Sequence, residues 1–283
     1  MCLENFKLAM NSLGLKCNDS IIADGVLRRF HVSGDREKQK NGWYVLYGGD
    51  LLAGAFGCWK RGINQTWSNK NKACLTPAEK QSFRKKMHDA RALKHKEISD
   101  RYAFAQNKAL NIWTESKPAR DTHLYLRNKR VGSHGLRIYK SSLLIPLIDT
   151  EGKIHSLQFI SEKGDKRFLS GGRKKGCYYA IKGAREPLLI AEGYATAATL
   201  HEATGLSTVT AFDAGNLKHV ASAIRAKHPD LAITICADND LNGSENVGLV
   251  KAKEAALLIG AKLAVPPIVG DFNDYYVGGA HNG

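Results

Sequence analysis

Acidic residues are scarce in this 283-residue chain: 27 Asp and Glu stand against 42 Lys and Arg, for a formal net charge of +15. The shortage is local. Residues 1–140 carry 27 basic against 12 acidic side chains, whereas residues 141–283 carry 15 of each. An excess confined to one half implies a polyanion held by that half and chemistry done by the other. Nucleic acid is the commonest such polyanion, bound by phosphate neutralisation and counterion release; a merely solvated basic surface is the alternative. Also lacking is any apolar run near the roughly 18 residues that span a bilayer. The first residues, MCLENFKLAMNSLGLK, are too polar for a secretory core and read as a short helix ending near Gly14. A cytoplasmic protein with no membrane partner is therefore expected. The six cysteines, Cys2, Cys17, Cys58, Cys74, Cys177 and Cys236, form no CxxC pair, so no zinc site is expected. They read as reduced and mostly buried, with Cys236 in the core. There is no internal repeat, no low-complexity tract and no GxxxxGK[ST] loop. No nucleophile triad is visible, and His31, His88, His95, His123, His134 and His155 lack ligand spacing.

What is present falls into four segments. Residues 1–75 predict a small α+β subdomain, with GWYVLYGG and LAGAFGCWKRG as strands of an antiparallel sheet. Residues 76–140 form a basic helical region. There Thr76, Pro77 and Glu79 make a capping-box start, and a helix running to about Trp113 shows only a narrow apolar stripe at Phe83, Met87, Ala90 and Leu93. Residues 141–186 read as antiparallel strands, SLLIPLID, KIHSLQFIS and RFLSG. Residues 187–283 alternate apolar strands with helices, the pattern of a parallel sheet covered on both faces. The expected class is α/β, with a parallel C-terminal sheet flanked by helices and preceded by a basic N-terminal α+β region.

Ligands of open α/β sheets sit beyond the carboxyl ends of the strands, and this chain places acids there. PLLIAE ends in Glu192, STVTAFD in Asp213 and ITICAD in Asp238, with Asp240 two residues on; DFNDYY adds Asp271 and Asp274. Carboxylates converging on one edge repel one another unless a hard divalent cation relieves them, and Mg²⁺ is held by a few carboxylates plus substrate phosphates. The alternative is that each acid caps the helix after it.

Glu192-Gly193 after a strand, with Asp238-x-Asp240 two strand–helix units later, resembles the Toprim domain of DnaG-type primases, topoisomerases and some nucleases. The likeness is strongest to the TraC-like primases of conjugative plasmids and phages. It extends through NGWYVLYGGDLLAGAFGCWK, HLYLRNKRV, SLLIPLIDTEGKIHSLQFIS, KRFLSGGRKKGCYY, LLIAEGYATAATLHEATG, TVTAFDAGNL and GDFNDYY, which together span most of the chain. The resemblance implies a DNA primase that makes short RNA primers on single-stranded DNA from NTPs, alongside a replicative helicase or conjugation machinery. It implies Glu192, Asp238 and Asp240 as catalytic acids and, with Asp271, as ligands of two Mg²⁺ or Mn²⁺ ions. DnaG proteins often carry an acid four residues after the glutamate; this chain has Thr196.

Joining nucleotides demands positioning and charge neutralisation around a triphosphate. Lys166, Arg167, Arg173, Lys174 and Lys175 can clamp triphosphate or template, with Gly171, Gly172 and Gly176 allowing close backbone approach; a solvated basic hairpin is the alternative. Gly215 and Asn216 begin a helix near the same edge and either contact nucleotide or cap that helix. In the basic half, Lys60 and Arg61 lie among Phe56, Trp59 and Trp67, an arrangement that either stacks single-stranded bases or forms a core. Arg84, Lys85 and Lys86 complete the DNA-binding candidates. Competing readings are a Toprim nuclease of the overcoming-lysogenization type, which normally follows an ATPase domain, and a non-catalytic single-strand-binding accessory. A dehalogenase-type phosphatase is disfavoured, because its DND motif belongs on the first strand of its sheet. A topoisomerase is disfavoured because the chain is short for gate domains.

Overall fold

Local signals set the first elements of the computed structural model, which describes residues 2–36, 39–239 and 246–279. Helix α1 (Cys2–Ser12) stops before Gly14, whose φ of +69° suits a residue without a Cβ. Strands β1 (Arg28–Phe30), β2 (Gly42–Tyr47), β3 (Ala53–Cys58) and β4 (Ile63–Ser68) pair antiparallel in that order. A single 3₁₀ turn at Lys72–Cys74 leads into α2 (Pro77–Glu115). Its capping box is closed in both directions: the Glu79 amide donates to Thr76 Oγ1 at 3.3 Å, and the Thr76 amide to Glu79 Oε2 at 2.9 Å.

The chain divides into two compact units, residues 1–100 and 101–283, with the division inside α2. In the first unit, alternation along the strands sends side chains to two faces. Tyr44, Leu46, Phe56 and Cys58 pack with Phe6 and Met10 of α1 on one face, while Trp43, Val45 and Ala55 meet Ala90 and Leu93 of α2 on the other. The narrow stripe expected on α2 is used here: Met87 and Ala90 are buried and Phe83 packs beside Met87. Phe6 makes edge contacts with Phe56 and Trp67 at 5.4 and 5.2 Å. Phe56 is buried and serves the core, and Trp67 packs partly buried against it.

The second unit builds two sheets. Strands β5 (Lys117–Pro118), β6 (Arg137–Tyr139), β7 (Ser142–Ile148), β8 (Ile154–Ile160) and β9 (Lys166–Phe168) form an antiparallel sheet in sequence order, with α3 (Leu124–Lys129) between β5 and β6. The other sheet contains β10 (Tyr179–Ile181), β11 (Ala184–Ala191), β12 (Leu206–Thr210), β13 (Ile233–Cys236) and β14 (Lys262–Ala264), ordered β10-β12-β11-β13-β14. All but β10 run parallel. The connecting helices are α4 (Tyr194–Thr204), α5 (Ala214–Lys227) and α6 (Val247–Ile259), and α7 (Phe272–Gly279) follows β14. Ile190, Val209, Ile233 and Ile235 face α5 and α6, while Leu189, Ala191 and Cys236 face α4. The parallel sheet is thus covered on both sides, as near-continuous apolar strands require. Among the described residues no helix is long and apolar enough to cross a membrane.

Candidate functional site

Strand order decides which acids meet. β11 lies between β12 and β13, and Ala191 is in register with both Thr210 and Cys236. Glu192 and Asp238 follow as the chain leaves two neighbouring strands, which run about 4.8 Å apart. The start of α6 closes the space between them: a Cβ built on Gly248 would lie 3.7 Å from the Asp238 carbonyl oxygen and 4.0 Å from Glu192 Oε2. Glu192 thus faces the first turn of a 13-residue helix, whose unpaired amides carry partial positive charge. A side chain at position 248 would project toward these acids, and glycine leaves that space clear.

Asp271 joins from another direction. Asn239 and Gly270 exchange backbone hydrogen bonds of 2.8 and 3.1 Å, tying the loop after β13 to the one that carries Asp271. Thr196 Oγ1 then donates to Asp271 Oδ2 at 3.1 Å. Asp271 Oδ1 accepts the Asp274 amide at 2.9 Å, so this acid caps α7 and both its oxygens have protein partners. Tyr125 lies nearby. It is 5% exposed, its hydroxyl has no hydrogen-bond partner among the described residues, and burial together with the Asp271 charge pushes its pKa up to about 12. Asp240 lies outside the described residues.

Asp213 does not join the group. It caps α5, accepting the Asn216 amide at 3.0 Å, and pairs with Lys174. Among the described residues, no set of three or more His, Cys, Asp or Glu side chains is arranged to hold an ion. Glu192 and Asp238 nevertheless fit a hard divalent cation: both are half-buried oxygen donors on adjacent strand ends.

The basic loop divides by role. Lys166 Nζ stands 3.8 Å from a Cβ built on Gly193, next to the acids. Arg167 and Lys175 are exposed. Lys174 is held by Asp213 and lies 5.2 Å over the Phe168 ring. Arg173 Nη2 is 3.9 Å from Asp149 Oδ2, and His155 Nε2 is 2.6 Å from that same oxygen. Sequence reasoning gave His155 no role; its signal was the Asp149–His155 spacing across the β7–β8 turn. The glycines serve the chain's own packing. Gly171 has φ +82°, and a Cβ on Gly172 would stand 2.2 Å from Ser156 Oγ.

Asn216 is neither the cap nor available to a ligand. It is 2% exposed; its Nδ2 donates to the Cys177 and Ala211 carbonyls at 3.0 and 2.9 Å, and its Oδ1 accepts the Gly176 amide at 2.9 Å. Gly215 is exposed at the same helix start. In the first unit, Lys60 donates to the Gly34 carbonyl, Arg61 to those of Gly14 and Ser33, and Lys86 to those of Gly48 and Leu51. These three hold loops, leaving Arg84 and Lys85 exposed on α2.

Two Escherichia coli proteins named DNA primase TraC are 33% and 32% identical, each over 96% of this chain. The chain spans 27% and 20% of their respective lengths. The Aquifex aeolicus primase (zinc-binding and RNA polymerase domains) superposes with a TM-score of 0.42 at 12% identity, covering 98% of this chain and 82% of that one. Residues 187–280, which hold most of β11, all of β12 to β14 and the acids of the edge, match the Toprim domain family, so the chain carries a Toprim domain there, and it is similar to the TraC primases along nearly its whole length.

Proposed function

We propose that the chain is a primase-type nucleotidyltransferase that joins ribonucleotides on a single-stranded DNA template. The observation that carries this reading is the meeting of Glu192 and Asp238 beside Lys166 and the first turn of α6. Kinship with proteins named primase supports the choice of reaction. Two carboxylates on adjacent strand ends supply the anionic half of a cation site, to which the substrate's phosphates add the rest. Bound Mg²⁺ or Mn²⁺, two ions by family resemblance with Asp240 and Asp271 contributing, would lower the pKa of the attacking 3′-hydroxyl and neutralise the leaving pyrophosphate.

The protein's own side chains then bind and orient. Lys166 sets a positive charge beside the acids, where a triphosphate would lie. Lys175 and Arg167 extend that charge outward. Arg173 is steadied by Asp149, whose other neighbour is His155. Lys174 is shared with Asp213, so it reaches a nucleotide only by exchanging that partner. Arg84 and Lys85 offer template contacts, and a helicase or conjugation apparatus is the natural partner of such an enzyme.

Incubation with single-stranded DNA, labelled NTPs and Mg²⁺ or Mn²⁺ should yield short RNA. Cleaved template without polymer would identify a nuclease instead, and binding with neither product would identify an accessory protein. Template affinity should also fall with salt, with a log–log slope steeper than about −3, since each phosphate contact on a single strand contributes about 0.7. A flat salt response would remove the basic half as the template-binding element.

A further inference from the structure

The first unit contains a small cavity in which every ionisable lining group is a base. It lies between edge strand β4 and helix α2, has a volume of about 180 Å³, and is lined by Asn64 and Thr66, by Arg91, Lys94 and His95, and by the Trp43 indole. Lys94 Nζ lies 4.7 Å from the centre of the Trp43 ring and 5.1 Å from that of Trp59. Burial pushes the Lys94 pKa down, the sign of a cation partly removed from water. The neighbouring acids of α2 are engaged elsewhere: Glu97 pairs with Arg29, and Asp89 with His88, each at 3.3 Å. Neither Arg91 nor Lys94 takes part in an ion pair among the described residues. Trp43 is 1% exposed, and its buried Nε1–H has no acceptor among the described residues.

A cation partly removed from water favours an anionic partner. The indole cannot serve as a stacking platform, because Lys94 already lies against it. A compact anion rich in acceptor oxygens matches this lining. We propose that the groove between β4 and α2 is a phosphate site, with Lys94 and Arg91 as its cations and Asn64 and Thr66 of β4 as its polar wall. The occupant is a phosphodiester of single-stranded nucleic acid or the phosphate of a free nucleotide. The inference rests on the nucleic-acid reading above only for the source of that phosphate; it needs neither a metal nor catalysis.

The full chain is titrated without divalent metal against a fluorescent single-stranded DNA and, separately, against ATP by calorimetry. Lys94→Gln and Arg91→Gln are compared with Lys96→Gln, which removes an exposed lysine already paired with Asp100 at 2.7 Å. Arg91 is exposed, so its replacement leaves the fold intact even if Lys94→Gln does not, and thermal melting checks both. The expected result is a loss of about tenfold in DNA affinity, with the salt slope reduced by about 0.7, for the Lys94 and Arg91 variants. Lys96→Gln should change affinity by less than about twofold. If ATP binding discriminates the variants and DNA binding does not, the phosphate comes from nucleotide. Wild-type binding with all three variants alike would overturn this site while leaving the catalytic reading intact. A wild-type chain that binds neither ligand would overturn both.

Discussion

Glu192→Gln and Asp238→Asn are each expected to reduce RNA synthesis on the order of a thousandfold, with single-stranded DNA affinity within about twofold of wild type. The size follows from the physics of charge developing on a transferring phosphoryl group: a preorganised group that meets it in a low-dielectric site is worth about a hundred- to a thousandfold in rate. In the proposed site the two carboxylates would hold the cation jointly, so removing either would remove the site. Both replacements keep side-chain shape and hydrogen-bonding capacity while deleting charge, and the melting temperature of each variant is the check that folding is untouched. Lys166→Gln is the companion measurement. It should raise the KM for NTP more than it lowers kcat, because the lysine stands beside the acids as a binding charge. A variant of Glu192 or Asp238 that still makes RNA at a tenth of the normal rate would refute the proposed chemistry.

Asn216→Ala should lower stability by about 3 kcal/mol, the largest effect expected of any single polar truncation in the second unit. The side chain ties three places together: the Gly176 amide, the Cys177 carbonyl and the Ala211 carbonyl. Its loss strands one buried donor and two acceptors, at about 1–3 kcal/mol for a buried group left unsatisfied, although water entering at the loop relieves part of this. In a unit of residues 101–283 this corresponds to a fall in Tm of roughly 6–12 °C. Differential scanning calorimetry decides it. A nucleotide-contacting asparagine would instead leave the Tm alone and raise the KM for NTP. Asp213→Asn separates the neighbouring contributions: it keeps an N-cap acceptor for α5 but releases Lys174, so its cost should be smaller.

Much of this fold was legible because its signals are short-range. The capping box at Thr76 and Glu79 involves residues three apart, and Gly205 closes α4 in the left-handed conformation as a helix-ending glycine should. Apolar strands alternating with helices announce a covered parallel sheet without reference to its strand order. Placing Glu192 and Asp238 at the ends of their strands needed nothing more than that alternation.

Which acids become neighbours depended on more distant relations. Glu192 and Asp238 are 46 residues apart in sequence, and they meet because β13 docks against β11 in a register that aligns Ala191 with Cys236. Asp213 ends an equally suitable strand but turns to Lys174 and the first turn of α5. Asp271 comes to this side of the sheet through the Asn239–Gly270 backbone pairing, and there it caps α7 and accepts from Thr196. The aromatics of the first half had two readings in the sequence, and burial against α1 chose the core. By itself, then, the sequence determined the elements, their caps and the charge of each half, since these depend on residues within a turn or two of one another. Tertiary structure alone decided which carboxylates share an edge, which lysines are occupied and how Lys94 comes to lie against Trp43 and Trp59, because those depend on strand order and on side chains brought together from distant parts of the chain.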